Sequence, residues 1–377
     1  MSVHPAVDEL SRRVLRLIEE ASNASAGREE DFTALAMALF DRQFADIPVY
    51  RRFCEARGVG PGRVTAWKEI PAMPTRAFKE FDLSSLPLEG RPTFFLSSGT
   101  GSIAERSRHY HDPASLEIYE ASLWSWFRRH VLPERGSFDG MGEGMRLVAL
   151  TPPPELAPHS SLVHMFGTIA RRGRFDAATF AARTDDTGIW HLDLELTTQW
   201  LREATAVSQP VLLLGPAFSY VHLLDRWAET GQSFHLAPGS RALETGGYKG
   251  RSRVLPKAEL HEGIMDRCGI PGSHIVTEYG MSELSSQAYD RVVGEAPGRG
   301  AGCFRFPPWA RAWMASPETG KEVADGEIGM IRVVDLANVY SLLSIQTEDL
   351  GRRCGDGFEW IGRANLVESR GCSLMLE

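Results

Sequence analysis

Cysteine is sparse in this 377-residue chain: Cys54, Cys268, Cys303, Cys354 and Cys372 are odd in number and form no CxxC pair. That scatter argues against a structural zinc and predicts free thiols in a reducing compartment, without disulfides. Long apolar runs are missing as well. Stretches such as Val211-Leu212-Leu213-Leu214 fall far short of the roughly 20 residues that cross a bilayer, so no membrane span is expected. Basic runs are absent, and Lys plus Arg number 41 against 49 Asp plus Glu, a formal charge of −8. No nucleic-acid partner is expected from such a balance. The opening Met1-Ser2-Val3-His4-Pro5 lacks a charged segment leading into an apolar one, so no signal peptide is expected and the predicted location is cytoplasmic.

Hydrophobic residues make up 43% of the chain, enough for a substantial core in one large domain or two ordinary ones. Residues 5 to about 58 carry helical spacing at Leu10, Val14, Leu17 and Ile18, and again at Leu35, Leu39 and Phe44. Pro71, Pro74 and Pro87 break the next stretch into short pieces, and residues 113 to 131 read as a helix with Trp124, Trp126 and Phe127 in its core face. From there strands and helices alternate: strands at 146–150, 211–214, 241–245 and 274–277, helices at 160–170, 217–227 and about 252–266. The predicted fold class is therefore α/β, mostly parallel sheet flanked by helices, with a β-rich subdomain beginning near residue 301.

Four stretches fall at predicted strand ends, where open α/β sheets bind ligands. Thr93-Phe94-Phe95-Leu96 empties into Ser97-Ser98-Gly99-Thr100-Gly101-Ser102, whose hydroxyls and free backbone N–H groups suit phosphate oxygens. Gly246-Gly247 leaves room for a flat ring against backbone. Tyr279-Gly280-Met281-Ser282-Glu283 offers an aromatic for a base, a hydroxyl for a phosphate and a carboxylate for Mg²⁺. Asp349 is suited to accept from two ribose hydroxyls. Each has a structural alternative: a turn at Ser97–Gly101 and at Gly246-Gly247, a solvated helix-start carboxylate at Glu283, a turn residue at Asp349.

In this order the motifs resemble those of the adenylate-forming superfamily of acyl-activating enzymes, and within it the chain looks most like the acyl-protein synthetases, LuxE-like fatty-acid–protein ligases. The resemblance covers most of residues 70 to 377, with Glu244-Thr245-Gly246-Gly247-Tyr248-Lys249 and Arg370-Gly371-Cys372-Ser373 among its more specific parts. It implies a large adenylation domain over residues 1–350, with a helical layer at 1–90 and the β-rich subdomain at about 301–350. A short tail, 351–377, is expected in place of the usual mobile domain with its catalytic lysine. It also implies ATP and Mg²⁺, a carboxylic acid substrate, and a reductase or carrier protein as acyl acceptor. Ser97, Ser98, Gly99, Thr100 and Gly101 would face phosphates, Gly246, Gly247 and Gly280 would border adenine stacked on Tyr279, and Ser282 would meet the α-phosphate. Glu283 would bind Mg²⁺, Asp349 the ribose, and Arg363 would sit at the ribose edge.

The resemblance makes Cys372 the acyl-accepting nucleophile; a buried core cysteine is the alternative. His164, in Ser161-Leu162-Val163-His164, would touch the substrate carboxylate or cap a helix, and Phe218 and Tyr220 would line an acyl channel. One departure from the family stands in the phosphate loop, where Gly101 follows Thr100 directly and no lysine follows; Arg106 and Arg108 are the nearest cations. Two other functions fit the same residues: a ligase releasing the acyl group to CoA or a small amine, and a non-catalytic nucleotide-binding subunit.

Overall fold

The apolar run at 211–214 forms a strand buried along its whole length (Val211–Pro216), entered from Pro210 and left through a second proline that starts a helix. It belongs to a computed structural model that describes residues 8–23, 29–98, 106–133, 143–248, 250–295 and 302–364. The chain divides into two compact units, one made of residues 126–280 and 289–301, the other of 1–125, 281–288 and 302–377.

The first of these is a doubly wound α/β unit. Its sheet runs in the order Ile275–Tyr279, Arg241–Thr245, Val211–Pro216, Arg146–Ala149, Ala177–Phe180. From Ile275–Tyr279 to Ala177–Phe180 each neighbouring pair is parallel. Parallel strands covered on both faces need continuous rather than alternating apolar sequence, and the central strands supply it. The helices that cover them are Ser161–Gly173, Leu194–Ala206, Ala217–Thr230 and Lys257–Cys268. Local chemistry sets their ends. Ser160 and Asp193 accept from Val163 N at 3.3 Å and Leu196 N at 2.9 Å as N-caps, while Gly231 (φ +67°) and Gly269 (φ +69°) take the left-handed turn that stops a helix. The expected start of the last helix near Ser252 moves to Lys257, because Pro256 suits the position just before a first turn and not the interior. Trp227 fills the core, its indole N–H donating to Thr198 Oγ1 at 3.1 Å.

The other unit begins with the helices Glu9–Asn23, Glu29–Asp46 and Pro48–Glu55, as the periodicity predicts. A hairpin, Thr93–Leu96 against Arg108–His111, follows. A five-stranded sheet pairs Ser344–Cys354 with Met73–Pro74, Ile328–Asp335 and Gly357–Arg363, and Ile328–Asp335 with Ala310–Ala315. Two buried side-chain bonds tie its layers: Trp309 Nε1 donates to Ser122 Oγ at 2.8 Å, and Ser122 Oγ lies 3.0 Å from Ser286 Oγ.

The cysteines require a correction. Cys303 and Cys354 are joined by a disulfide, their Cα atoms 6.4 Å apart and 51 positions apart in sequence. The bridge arises because Phe304 pairs with Phe358 on the last strand, which brings the chain at 303 against the turn that follows Cys354. No spacing in the sequence signals that pairing. Cys54 and Cys268 are free and buried; burial pushes their thiols up to about 11 and about 12, so neither is a nucleophile near neutral pH.

Candidate active site

Ser282 and Glu283 lie in a stretch, 281–287, that has no helix or strand yet is buried from Ser282 to Gln287. Ser282 is 7% exposed and Glu283 5%. Ser282 Oγ donates to Glu283 Oε2 at 3.0 Å, so the hydroxyl and the carboxylate form one polar unit. Burial pushes the Glu283 carboxyl up; hydrogen bonds from Ser107, its own backbone and Ser282, and the charge of Lys79, act in the opposite direction.

The hairpin beside this stretch carries the front of the hydroxyl loop. Ser97 pairs with Ser107 across it: Ser97 N donates to Ser107 O, and Ser107 N donates to Ser97 Oγ, both at 3.0 Å. The Arg106 guanidinium reaches back to the Ser97 carbonyl. Arg108 donates to the Lys79 carbonyl at 3.4 Å. Ser98 is exposed, and Gly99, Thr100 and Gly101 lie outside the described residues. At the sheet, Asp349 and Arg363 face each other in register, Arg363 Nε 3.8 Å from Asp349 Oδ1. Thr347 Oγ1 accepts from Asp349 N at 3.1 Å, within the strand Ser344–Cys354.

In the α/β unit, Arg241–Thr245 and Ile275–Tyr279 end side by side, as the strand-end argument requires. Gly246 takes φ +63°, a conformation that favours glycine, and is exposed, while Gly247 is exposed with open space where a side chain would stand. Thr245 Oγ1 donates to a carboxylate oxygen of Glu278, and Tyr279, 9% exposed, closes the strand before exposed Gly280. His164 stands in the first turn of its helix, half-buried. Phe218 is buried and packs near Trp190, ring centroids 6.3 Å apart. Tyr220 departs from the expected channel position: its hydroxyl donates to the Leu213 and Leu243 carbonyls at 2.8 and 3.1 Å, which makes it part of the sheet's core. Cys372 lies outside the described residues.

Sequence reading missed the groups that surround Ser282 and Glu283. His109 Nδ1 lies 2.9 Å from the Ser282 carbonyl, Asn338 Nδ2 donates to the Glu283 carbonyl at 2.9 Å, and Asp335 Oδ2 accepts from the N–H groups of Ser285 and Ser286 at 3.0 and 2.8 Å. None sits in a recognisable motif; Asp335 alone carries a signal, as a carboxylate after the apolar Val333-Val334.

The sequence model of the family described as "Acyl-protein synthetase, LuxE" matches residues 165–377, more than half of the chain. The chain belongs to this family. Among curated relatives, it is 24% identical over 339 residues to the long-chain-fatty-acid–luciferin-component ligase of Aliivibrio fischeri, a match covering 87% of this chain and 82% of that protein. The protein of the same name from Vibrio harveyi is 23% identical over 336 residues, again 87% and 82%. This acyl-protein synthetase also shares its fold with solved ligases. An open conformation of 2-hydroxyisobutyryl-CoA ligase, in complex with 2-HIB-AMP and CoA, superposes with a TM-score of 0.61 at 14% identity, covering 90% of this chain and 71% of that one. The postadenylation state of that enzyme gives 0.58, at 14% identity over 97% and 69%. The α/β fold expected from the alternating pattern is the fold of adenylate-forming ligases. Among the described residues, no helix is long and apolar enough to cross a membrane.

Proposed function

We propose that this acyl-protein synthetase activates a long-chain fatty acid with ATP and carries the acyl group on Cys372 to a partner protein, a reductase or a carrier. In the first step a carboxylate oxygen of the acid attacks the α-phosphorus, the bond to the bridging oxygen breaks, and pyrophosphate leaves with that electron pair. In the second the Cys372 thiolate attacks the acyl carbonyl and AMP leaves, giving a thioester that the partner's nucleophile then opens. The observation that carries the reading is the fate of the other cysteines. Two are joined to each other and two are buried with raised thiols, which leaves Cys372, within the stretch that matches the family, for acyl transfer.

The residues divide the chemistry as follows in this proposal. Ser282 turns its one hydroxyl hydrogen from Glu283 to the α-phosphate, Ser97 to Gly101 donate to the other phosphates, and Asp349 accepts from the ribose with Arg363 at its edge. Tyr279 stacks on adenine bordered by Gly246, Gly247 and Gly280, and His164 contacts the acid's carboxylate. A single buried carboxylate next to hydroxyls fits Mg²⁺, which keeps several waters and takes phosphate oxygens as further ligands. Glu283 would hold it, with the ion supplying charge to the phosphates as they separate. The need for ATP favours the cytoplasm as the place of action, although the Cys303–Cys354 bridge is a bond that a reducing compartment disfavours. The test is pyrophosphate release: it is expected to depend on a long-chain acid, and Glu283→Gln is expected to lower it by about 100-fold or more. Release that ignores the acid, or that survives Glu283→Gln intact, contradicts the reading.

A further inference from the structure

A buried stretch without helix or strand must find partners for its backbone among side chains, because neither water nor a ladder serves it. Along 282–286 those partners come from segments distant in sequence. The Ser282 carbonyl only accepts, so at 2.9 Å the His109 Nδ1 carries the proton and donates. Asn338 donates one amide hydrogen to the Glu283 carbonyl and the other to Leu342 O, both at 2.9 Å, and its Oδ1 accepts from Ser285 Oγ at 2.7 Å.

Each clamp is itself held. Gln43, fully buried on the helix Glu29–Asp46, donates to the Asn338 carbonyl at 2.8 Å and accepts from Leu343 N at 2.9 Å. Asp335 ties down the two residues that follow, accepting from the N–H groups of Ser285 and Ser286 and from Ser286 Oγ at 2.8 Å. His109 is 3% exposed and lies against His111, ring centroids 4.3 Å apart. The two gripped carbonyls belong to the peptide planes on either side of the Glu283 Cα. Fixing both planes fixes the backbone angles of Glu283 and the direction in which its side chain leaves.

We infer that His109 and Asn338 are positioning residues, which hold the peptide planes flanking Glu283 so that the Ser282 hydroxyl and the Glu283 carboxylate meet the nucleotide's phosphate and its metal in a set geometry. This rests on the roles proposed above for Ser282 and Glu283. Removing His109's donor frees the Ser282 carbonyl; replacing it with asparagine, whose Nδ2 occupies nearly the place of the histidine Nδ1, restores the bond.

The experiment measures binding of ATP with Mg²⁺ by calorimetry, together with kcat and KM for each substrate, in His109→Leu, His109→Asn, Asn338→Asp and Glu283→Gln. His109→Leu is expected to weaken ATP–Mg²⁺ binding and lower kcat by about 10- to 100-fold, the range for lost partners of a metal ligand, with KM for the fatty acid unchanged. His109→Asn is expected to recover most of that loss. Asn338→Asp, which keeps the acceptor for Ser285 but loses the donor to Glu283, is expected to behave like His109→Leu and stands in for it if the leucine variant does not fold. Equal loss in His109→Leu and His109→Asn reduces the histidine to a packing role and overturns the inference, as does parental binding and turnover in His109→Leu or Asn338→Asp. Parental behaviour of Glu283→Gln removes the reading beneath it, whereas an impaired Glu283→Gln beside a normal His109→Leu removes the inference alone.

Discussion

At Glu283 the free protein holds its carboxyl above the usual carboxylate range because burial disfavours the charge. A metal ion binds only the ionised form, so Mg²⁺ affinity in the presence of ATP should rise with pH through that raised pKa and then level off. In Glu283→Gln the rise should vanish, which calorimetry at several pH values would check. His109 gives a second pH effect, on stability. Burial lowers its pKa to about 4 from 6.5, so between those values the unfolded chain binds more protons than the folded one. Stability tied to this group is complete above about pH 6.5 and is lost as pH falls toward 4. Asp335, pushed up to about 6 from 3.8 by burial, acts in the opposite sense: its share is present at the acid end and lost as pH rises through 6. Replacing His109 with asparagine should therefore make the acid limb of melting temperature against pH shallower; an unchanged limb would contradict the assignment. Ser282 and Glu283 were legible through the motif that contains them. His109 and Asn338 were not, since they lie 173 and 55 positions from the carbonyls they hold, and only the folded chain brings them there.

Among the elements, the central strands of the α/β unit were the easiest to read, because parallel strands buried on both faces leave unbroken apolar runs closed by glycine or proline, whereas the edge strand Ala177–Phe180 and the helix Leu194–Ala206 were not anticipated. The hairpin Arg108–His111 was not anticipated: Arg-His-Tyr-His is polar, and it is a strand because Thr93–Leu96 pairs with it. The last strand pair shows both outcomes. The Gly355-Asp356-Gly357 run has the residue types of a turn between two strands, and Gly355 takes φ +63° there. The disulfide beside it left no trace in spacing. Gly357 is confined by the same contacts, a Cβ there standing 2.4 Å from the Phe304 carbonyl oxygen and 3.0 Å from Cys303 Sγ. Gly357→Ala should cost about 1–3 kcal/mol of stability, as inserting an extra carbon into a packed site does, and denaturant unfolding would measure it. Peptide mapping without reductant should recover Cys303 and Cys354 in one linked pair, and recovery of both as separate alkylated peptides would contradict the pairing.

For the whole molecule, the proposed site residues run along the chain in the order Ser97 and Ser98, the paired glycines, the Tyr279–Glu283 segment, Asp349, then Cys372, and the family match spans all but those serines. Composition bounded the class without identifying it, and the identity of the acid is written in no single residue, since Phe218, expected at an acyl channel, is packed as an ordinary buried aromatic. The proposed function turns on the passage of acyl groups through one thiol. It is tested most directly by the intact mass of the purified protein after incubation with ATP, Mg²⁺ and a series of long-chain fatty acids. The expected result is a gain equal to one acyl group, removed by hydroxylamine and absent from Cys372→Ala. A gain that persists in Cys372→Ala, or sustained pyrophosphate release by the Cys372→Ala protein at the parental rate with the acyl group delivered to a free acceptor, would contradict it.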